Sequence, residues 1–309
     1  MKYIINKCML LLLLVFIISI VSCTSNSSTS TEYKTGKEGI NMELLNMKQG
    51  SKFVQGEYLS LVMDIQNKGY FSQPDGFITI KGHDPNAIHF KETVFTLPSL
   101  LGKRSYMPEG GSNIIKFDEE KPLTVPYGSS YKANLMFTAC YNYETQAVVS
   151  VCVIPDMKEY TAGTTTCRLE AKSLSSQAAP VAVTYIEPSM SADKLQYIIH
   201  VTNVGDGVVV KRDKINQKDC PSNIGSIDVD EMKIAVSLSA LGEAECENDN
   251  IIRLIDGKGV ALCSIGKGTG AYSYTTQMEI VLDYGYSSNI FQEIEIINPF
   301  YTGKEEYNK

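Results

Sequence analysis

The sequence has 309 residues with 28 basic and 35 acidic side chains, which gives a net charge of −7, and 43% of its residues are hydrophobic. This length and this apolar share are sufficient for two domains with cores of their own. The acidic balance and the lack of a Lys/Arg-rich stripe argue against nucleic acid as a partner.

Residues 1–22 have the pattern of a signal peptide. Lys2 and Lys7 give a cationic start, and an apolar run at 9–21 follows, interrupted by Ser19. A helix that spans a bilayer needs about 20 apolar residues, so cleavage after export is favoured over a retained anchor. Either alternative places the rest of the chain outside the membrane.

Cys23 stands where the apolar run ends. Ile20, Ser22 and Cys23 occupy the aliphatic, small and cysteine positions of a cleavage site, and the segment resembles that of prokaryotic lipoproteins. The resemblance implies lipidation of Cys23, with membrane lipid as a partner; an ordinary signal peptide cut nearby is the alternative. Residues 23–39 are polar and Ser/Thr-rich, which predicts a flexible stalk, and Asn26 begins a glycosylation sequon.

Six cysteines remain beyond Cys23, and an even number in an exported chain predicts three disulfides. Cys246 and Cys263 flank a local excursion with a turn and are the preferred pair. Cys152 and Cys167 bracket a polar, turn-rich bridge and are paired with each other. Zinc is disfavoured because its ligands usually come in Cys-x-x-Cys pairs, and the sequence has none.

This pairing leaves Cys140 for Cys220, a bridge that would join the two halves of the chain. A Cys140–Cys152 pair stays open, since the two residues are predicted on the same face of one hairpin.

From residue 40 onwards the pattern predicts β-strands. Short runs rich in β-branched and aromatic residues occupy 58–65, 76–81 and 114–117, and turn sequences with Gly, Pro and Asn separate them. No stretch sustains the 3.6-residue apolar period of a helix.

An internal repeat divides the chain. Asn67-Lys68-Gly69 recurs 136 residues later as Asn203-Val204-Gly205, each time after an alternating strand. The spacing of Tyr, Leu and Phe in 131–143 recurs 143 residues later in 274–286. The same order at nearly the same offset indicates two copies of one β-unit.

Residues 131–143 and 147–154 are predicted to form a hairpin across Glu144-Thr145-Gln146. Alternate residues of a strand face opposite sides, so one face of each repeated stretch is predicted to be core. The core positions are Leu135, Phe137, Ala139, Tyr141, Tyr143, Met278, Ile280, Leu282, Tyr284 and Tyr286. The opposite face is predicted to be solvated, with Thr138, Cys140 and Asn142 in the first copy and Glu279, Asp283 and Gly285 in the second.

The predicted architecture is all-β, with two tandem immunoglobulin-like Greek-key sandwiches. The segments are a signal peptide at 1–22, a lipidated cysteine and stalk at 23–39, a sandwich at 40–156, a connector at 157–178, a second sandwich at 179–300 and a polar tail at 301–309. Both units resemble the CARDB-like and related immunoglobulin-like domains of archaeal and bacterial surface proteins, on the strands that lead into Asn67-Lys68-Gly69 and Asn203-Val204-Gly205. The resemblance implies a fold and a surface location rather than an activity.

A search for catalytic chemistry gives one weak pair, His83-Asp84, without a recognisable nucleophile setting. Asp228, Asp230 and Glu231 could supply oxygen ligands to calcium, but their spacing matches no calcium loop, so a solvated acidic surface is favoured. The sequence therefore predicts no catalytic residue, cofactor or metal.

The resulting hypothesis is a non-enzymatic protein on the outer face of the cell membrane, anchored through Cys23. It would bind an unidentified protein or glycan at the surface, in adhesion or envelope structure. The first alternative is an accessory subunit of an envelope secretion, transport or surface-layer complex. The second is a hydrolase of surface polymers with its site in 92–124 and His83-Asp84 as the catalytic pair.

Overall fold

The computed structural model describes residues 32–301 except 49, 73, 192 and 217–224. Cys23, Asn26 and Cys220 lie outside the described residues. The predicted all-β class is confirmed, because 54% of the structure is strand and 6% helix, and the sheets pack as a sandwich. Within the described ranges, no helix is long and apolar enough to cross a membrane.

The described part of the first half, up to residue 153, contains eight strands. They are β1 (Ile40–Leu44), β2 (Ser51–Val54), β3 (Ser60–Asn67), β4 (Gly76–Lys81), β5 (His89–Phe90), β6 (Val94–Thr96), β7 (Ser112–Lys121) and β8 (Ser130–Val153). The predicted strand at 76–81 is correct at both ends, whereas 58–65 is displaced by two residues and 114–117 lies within a longer strand.

The second half contains nine strands and a short helix in its described residues. They are α1 (Met157–Ala162), β9 (Lys172–Ser173), β10 (Val181–Met190), β11 (Lys194–Asn203), β12 (Val208–Val210), β13 (Glu231–Leu238), β14 (Gly242–Cys246), β15 (Ile251–Arg253), β16 (Lys258–Gly266) and β17 (Tyr274–Ile297). Short helical turns occupy Glu32–Lys34, Arg212–Lys214 and Glu247–Asn250. The absence of a helical period in the sequence is consistent with α1, which has six residues and no buried side chain.

Two sheets account for the described strands. The smaller has the order β1-β3-β7-β5, and the larger has the order β6-β4-β8-β17-β13-β14-β16-β11-β10-β9. In the larger sheet, β2 and β12 add to β17 and β15 adds to β13. Strands from both predicted sandwich segments therefore belong to one continuous sheet.

The central element is an antiparallel ribbon of β8 and β17. Each strand has 24 residues, and they pair from Ser130 opposite Ile297 to Val153 opposite Tyr274. At about 3.3 Å per residue, the ribbon is about 80 Å long. The two strands contain no Pro and a single Gly, Gly285, so little in their sequence interrupts a long strand.

The predicted hairpin across Glu144-Thr145-Gln146 is wrong, since β8 passes through these residues without turning. None of the three is Gly, Pro or Asn, the residues that tight hairpin turns usually require. The alternation of the sequence also continues, because Thr145 and Ala147 are buried in step with Tyr143.

The predicted core face of the ribbon is confirmed. Its ten positions are all buried, at 2% exposure or less. The predicted solvated face is wrong for the first copy, where Thr138, Cys140 and Asn142 are 1%, 1% and 7% exposed. In the second copy Glu279 is exposed, but Gly285 is buried. Alternation predicts which side a residue faces, but it does not predict which segment covers that side.

The described residues contain the two preferred disulfides, Cys152–Cys167 and Cys246–Cys263, with Cα atoms 5.7 and 3.9 Å apart. Cys140 is also disulfide-bonded, which leaves no place for the alternative Cys140–Cys152 pair. Its predicted partner, Cys220, lies outside the described residues.

Candidate binding cleft

The repeated Asn-x-Gly motifs occupy equivalent positions in the two halves. The Tyr143 hydroxyl donates to Asn67 Oδ1 at 3.1 Å, and the Tyr286 hydroxyl donates to Asn203 Oδ1 at the same distance. The amide nitrogen of each asparagine donates to the carbonyl oxygen four residues later, at 2.7 and 2.8 Å. These turn residues therefore connect each strand end to the core.

Gly69 and Gly205 complete the two motifs. A Cβ atom at either position would collide with a tyrosine hydroxyl, that of Tyr143 for Gly69 and that of Tyr286 for Gly205. Both glycines are explained by close approach to a buried ring. The repeated Asn-x-Gly spacing of the two motifs thus reflects packing against these tyrosines.

Four tyrosines from the ribbon form the centre of the core. Tyr141 contacts Tyr143 and Tyr286, and Tyr284 contacts the same two rings, with centroids 5.7 to 6.4 Å apart. Desolvation raises the pKa of all four hydroxyls, to about 12 for Tyr286. The cluster is neutral and is a structural core rather than a reactive centre.

A cleft of 610 Å³ lies on the other side of the ribbon, near its midpoint. Its volume is within the range of small-molecule sites. The lining residues are Asn142, Lys211, Arg212, Asp213, Glu231, Met232, Lys233, Ile251 and Asp283. Three are basic, three are acidic, one is an amide and two are apolar, so most of the lining residues carry polar side chains and their charges balance.

An insertion in the second repeat builds this cleft. In the first repeat β4 pairs with β8 without a break, whereas in the second the strands β12 and β13 share that role on β17. Residues 211–230 separate them. The beginning of this insertion packs over the ribbon, because a Cβ at Gly285 would lie 2.7 Å from Ile215 Cγ1.

Ion pairs hold most of the charged side chains that line the cleft. Lys211 Nζ lies 3.3 Å from Glu231 Oε1, and Arg253 contacts the other oxygen of Glu231 at 2.5 Å. Arg212 pairs with Asp283. The pairs fix the walls and leave the cleft close to neutral. Partly exposed pairs of this kind add little stability in themselves.

Asn142 supplies a polar group without an internal partner. The residue is 7% exposed, and its Nδ2 donates to Asp75 Oδ2 at 3.1 Å. Its Oδ1 is buried and accepts no hydrogen bond from the described residues. An unsatisfied buried acceptor costs about 1–3 kcal/mol, and a donor from a bound ligand would offset that cost.

The acidic run near the cleft is neutralised by lysines. Asp228 lies 3.9 Å from Lys211 Nζ and 3.5 Å from Lys214 Nζ. Glu231 pairs with Lys211 and Arg253 as described above. Within the described ranges, no group of three or more His, Cys, Asp or Glu residues is arranged to hold a metal ion.

His83 and Asp84 make separate contacts. The His83 ring packs edge-on against Phe90 with centroids 5.1 Å apart, and its Nδ1 is buried without a partner among the described residues. Desolvation lowers its pKa, opposed by the nearby Asp84 carboxylate. Asp84 Oδ1 accepts from the Asn86 backbone at 2.8 Å and stabilises a turn. This geometry gives the pair a local structural role.

The cleft was not predicted from the sequence. Alternation predicts that Asn142 is solvated, and the turn and tyrosine motifs that define the repeat lie on either side of the insertion at 211–230. The difference between the two offsets, 136 and 143 residues, is the signal that could have indicated extra residues between the motifs.

Fold and cleft together define an all-β, disulfide-containing protein with a cleft of balanced charge on a duplicated β-unit. Comparison with protein-family models and with curated proteins gave no match.

Proposed function

We propose that this protein is an extracytoplasmic binding protein, anchored to the outer face of the cell membrane through a lipid on Cys23, which recognises a surface glycan in its cleft. The two disulfides support an oxidising compartment. The N-terminal sequence supports anchoring, and the tandem immunoglobulin-like resemblance agrees with a surface role. The protein would bind its partner without transforming it.

The observation that carries this proposal is the buried Asn142 carbonyl, which has no hydrogen-bond partner among the described residues and lies at a cleft of balanced charge. A hydroxyl both donates and accepts hydrogen bonds, so a sugar can use the basic and the acidic side chains at once. It can also supply the donor that Asn142 Oδ1 lacks. A ligand with a large net charge would gain nothing from equal numbers of acidic and basic groups.

Asn142→Leu tests this proposal, because it removes the acceptor and keeps a similar volume. Asn134→Leu is the matched control, since Asn134 lies exposed on the same face of β8 and does not line the cleft. Binding of fluorescently labelled mature protein to an array of envelope glycans is the measurement. We expect Asn142→Leu to abolish binding and Asn134→Leu to retain it, with both variants folded by circular dichroism. Equal binding by both variants would contradict the proposal.

The alternative of an accessory subunit in an envelope complex is favoured by one other observation. Tyr58, Tyr127 and Phe300 are 64%, 91% and 80% exposed. Their loops adjoin one another at one end of the ribbon, where the Val125 backbone donates to Gln55 Oε1 and Asn298 donates to the Ser129 carbonyl. Exposed aromatic residues are enriched at protein interfaces.

Affinity purification from detergent-solubilised membranes distinguishes the two functions. A stoichiometric protein partner that is lost on Tyr127→Ser and retained on Asn142→Leu would favour the subunit role. Loss of glycan binding on Asn142→Leu without any such partner would favour the binding protein.

A further inference from the structure

A group of cations surrounds the point at which the described chain begins. Lys34 Nζ lies 4.4 Å from the centre of the Tyr70 ring, and Arg104 Cζ lies 4.5 Å from the same centre. Tyr33 packs against Tyr70 with ring centroids 6.3 Å apart. Cation–π contacts of this kind hold both charges next to the first described turn.

Three more lysines extend this group. Lys103 Nζ donates to the Thr35 carbonyl at 3.2 Å, and Lys68 Nζ lies 3.4 Å from Glu38 Oε2. Lys37 is the residue before Glu38 and is exposed. We call the set of Lys34, Lys37, Lys68, Lys103 and Arg104 the basic collar.

The basic collar contrasts with the rest of the protein. Without Lys2 and Lys7, 26 basic residues stand against 35 acidic ones, so the mature chain has a net charge of about −9. Among the side chains that the structure describes, one carboxylate forms an ion pair with the five cations of the collar, that of Glu38. A local excess of positive charge on an acidic protein indicates an anionic partner for that surface.

The position of the collar identifies this partner. Eight residues, 24–31, separate Cys23 from the first described residue, Glu32. At 3.3–3.6 Å per residue the connection reaches at most about 30 Å. This inference rests on the proposed lipid anchor at Cys23: a body tethered so closely has its collar within reach of the headgroups, and contact is needed because charges are screened within about 10 Å.

We propose that the basic collar docks on anionic phospholipid headgroups and so sets the orientation of the body on the membrane. Each Lys or Arg close to an anionic surface contributes roughly a tenfold or smaller gain in binding. Because five such cations bind the headgroups electrostatically, the orientation of the body should depend on the salt concentration. The long ribbon and its cleft would then have a fixed orientation relative to the membrane surface.

The test uses the full mature chain, residues 23–309, with Cys23→Ser to remove the acyl chains. Because this variant carries no lipid, its binding to vesicles tests the collar independently of the anchor. The measurement is co-flotation with phosphatidylcholine vesicles, with and without about 30% phosphatidylglycerol, at about 0.1 M and about 0.5 M salt. We expect binding to the anionic vesicles at low salt and release at high salt.

Lys37→Gln with Lys103→Gln is the collar variant, and we expect it to lower vesicle binding about tenfold or more. Lys116→Gln with Lys258→Gln removes the same charge from exposed sites on β7 and β16 and should leave binding unchanged. Equal binding to neutral and anionic vesicles, or equal effects of the two double variants, would overturn the inference. Retention on an immobilised anionic polysaccharide without vesicle binding would replace lipid by polymer as the partner.

A fluorescent reporter locates the contact. The chain has no tryptophan, so Tyr106→Trp beside the collar and Tyr272→Trp, in a different loop, each give a single fluorophore at sites 75% and 76% exposed. We expect nitroxide-labelled headgroups in anionic vesicles to quench the first and spare the second. Quenching of the second alone would place a different surface on the membrane and contradict the inference. Intact mass of the membrane-extracted wild-type protein tests the Cys23 anchor separately.

Discussion

Asn142 lies directly opposite Gly285 in the β8–β17 ribbon, and the two residues are equivalent positions of the internal repeat. The same pairing places Tyr141 opposite Tyr286 and Tyr143 opposite Tyr284. Exchange of the two copies therefore converts the Tyr141–Tyr286 pair into the Tyr284–Tyr143 pair. An approximate two-fold axis passes through the Asn142–Gly285 pair, and the repeat is a structural symmetry as well as a sequence pattern.

The symmetry predicts that the two Asn–Tyr contacts make comparable contributions to stability. Asn67→Ala and Asn203→Ala each leave a buried tyrosine hydroxyl without its acceptor, which should lower the free energy of unfolding by about 1–3 kcal/mol. Asn67 is completely buried, so its value should lie near the upper end of this range. Asn113→Ala is the control, since Asn113 is exposed. Urea denaturation gives the values, and a loss at either site no larger than that of the control would contradict the prediction.

Gly285 is predicted to allow the close packing of Ile215 against the ribbon. A Cβ there would lie 2.7 Å from Ile215 Cγ1 and 3.0 Å from the Val210 carbonyl oxygen. Gly285→Ala should therefore lower the free energy of unfolding by about 1–3 kcal/mol, and Ile215→Ala in the same chain should recover part of this loss. Gly266→Ala is the control because nothing lies near its Cβ position. Additive effects of the two substitutions would show that residues 285 and 215 do not contact each other.

Much of the fold is predictable from local pattern. The strand at 76–81, the all-β class and the core face of the ribbon all follow from alternation and turn chemistry, which are properties of neighbouring residues. A turn at Glu144-Thr145-Gln146 is predicted because strands usually have about five or six residues, whereas β8 has 24. Only the pairing of β8 with β17 along its whole length explains why the strand continues.

The cleft depends on contacts that local pattern does not contain. Asn142 is buried because a segment 70 residues further along the chain packs nearby, and Gly285 is small because Ile215 covers it. Alternation correctly placed both residues on the face opposite the tyrosines. The side that they face was therefore predictable, and their burial was not.

The tyrosine cluster predicts a loss of stability at alkaline pH. Burial raises the pKa of Tyr286 from its ordinary value of 10 to about 12. Between these values the folded state keeps a proton that the unfolded state loses, so the free energy of unfolding falls as the pH rises above 10. Tyr286→Phe should make this fall less steep, whereas Tyr127→Phe, at an exposed site, should not change it. Parallel pH profiles for Tyr286→Phe and wild type would contradict the assignment.

The lowered pKa of His83 predicts a loss of stability at acidic pH. Desolvation lowers its pKa below the ordinary value of 6.5, so the folded state binds this proton less readily than the unfolded state. The contribution is complete above pH 6.5 and is lost as the pH falls below it. His83→Gln should reduce the decline in the free energy of unfolding between about pH 7 and about pH 5. An unchanged decline would show that His83 titrates normally in the folded protein.

The continuous β8–β17 ribbon predicts that both repeats unfold together. Differential scanning calorimetry of residues 23–309 should give a single transition whose calorimetric and van't Hoff enthalpies agree. Asn67→Ala and Asn203→Ala, one in each repeat, should both move that same transition to lower temperature. Two separate transitions, each shifted by one of the substitutions alone, would contradict a single body built on the shared ribbon.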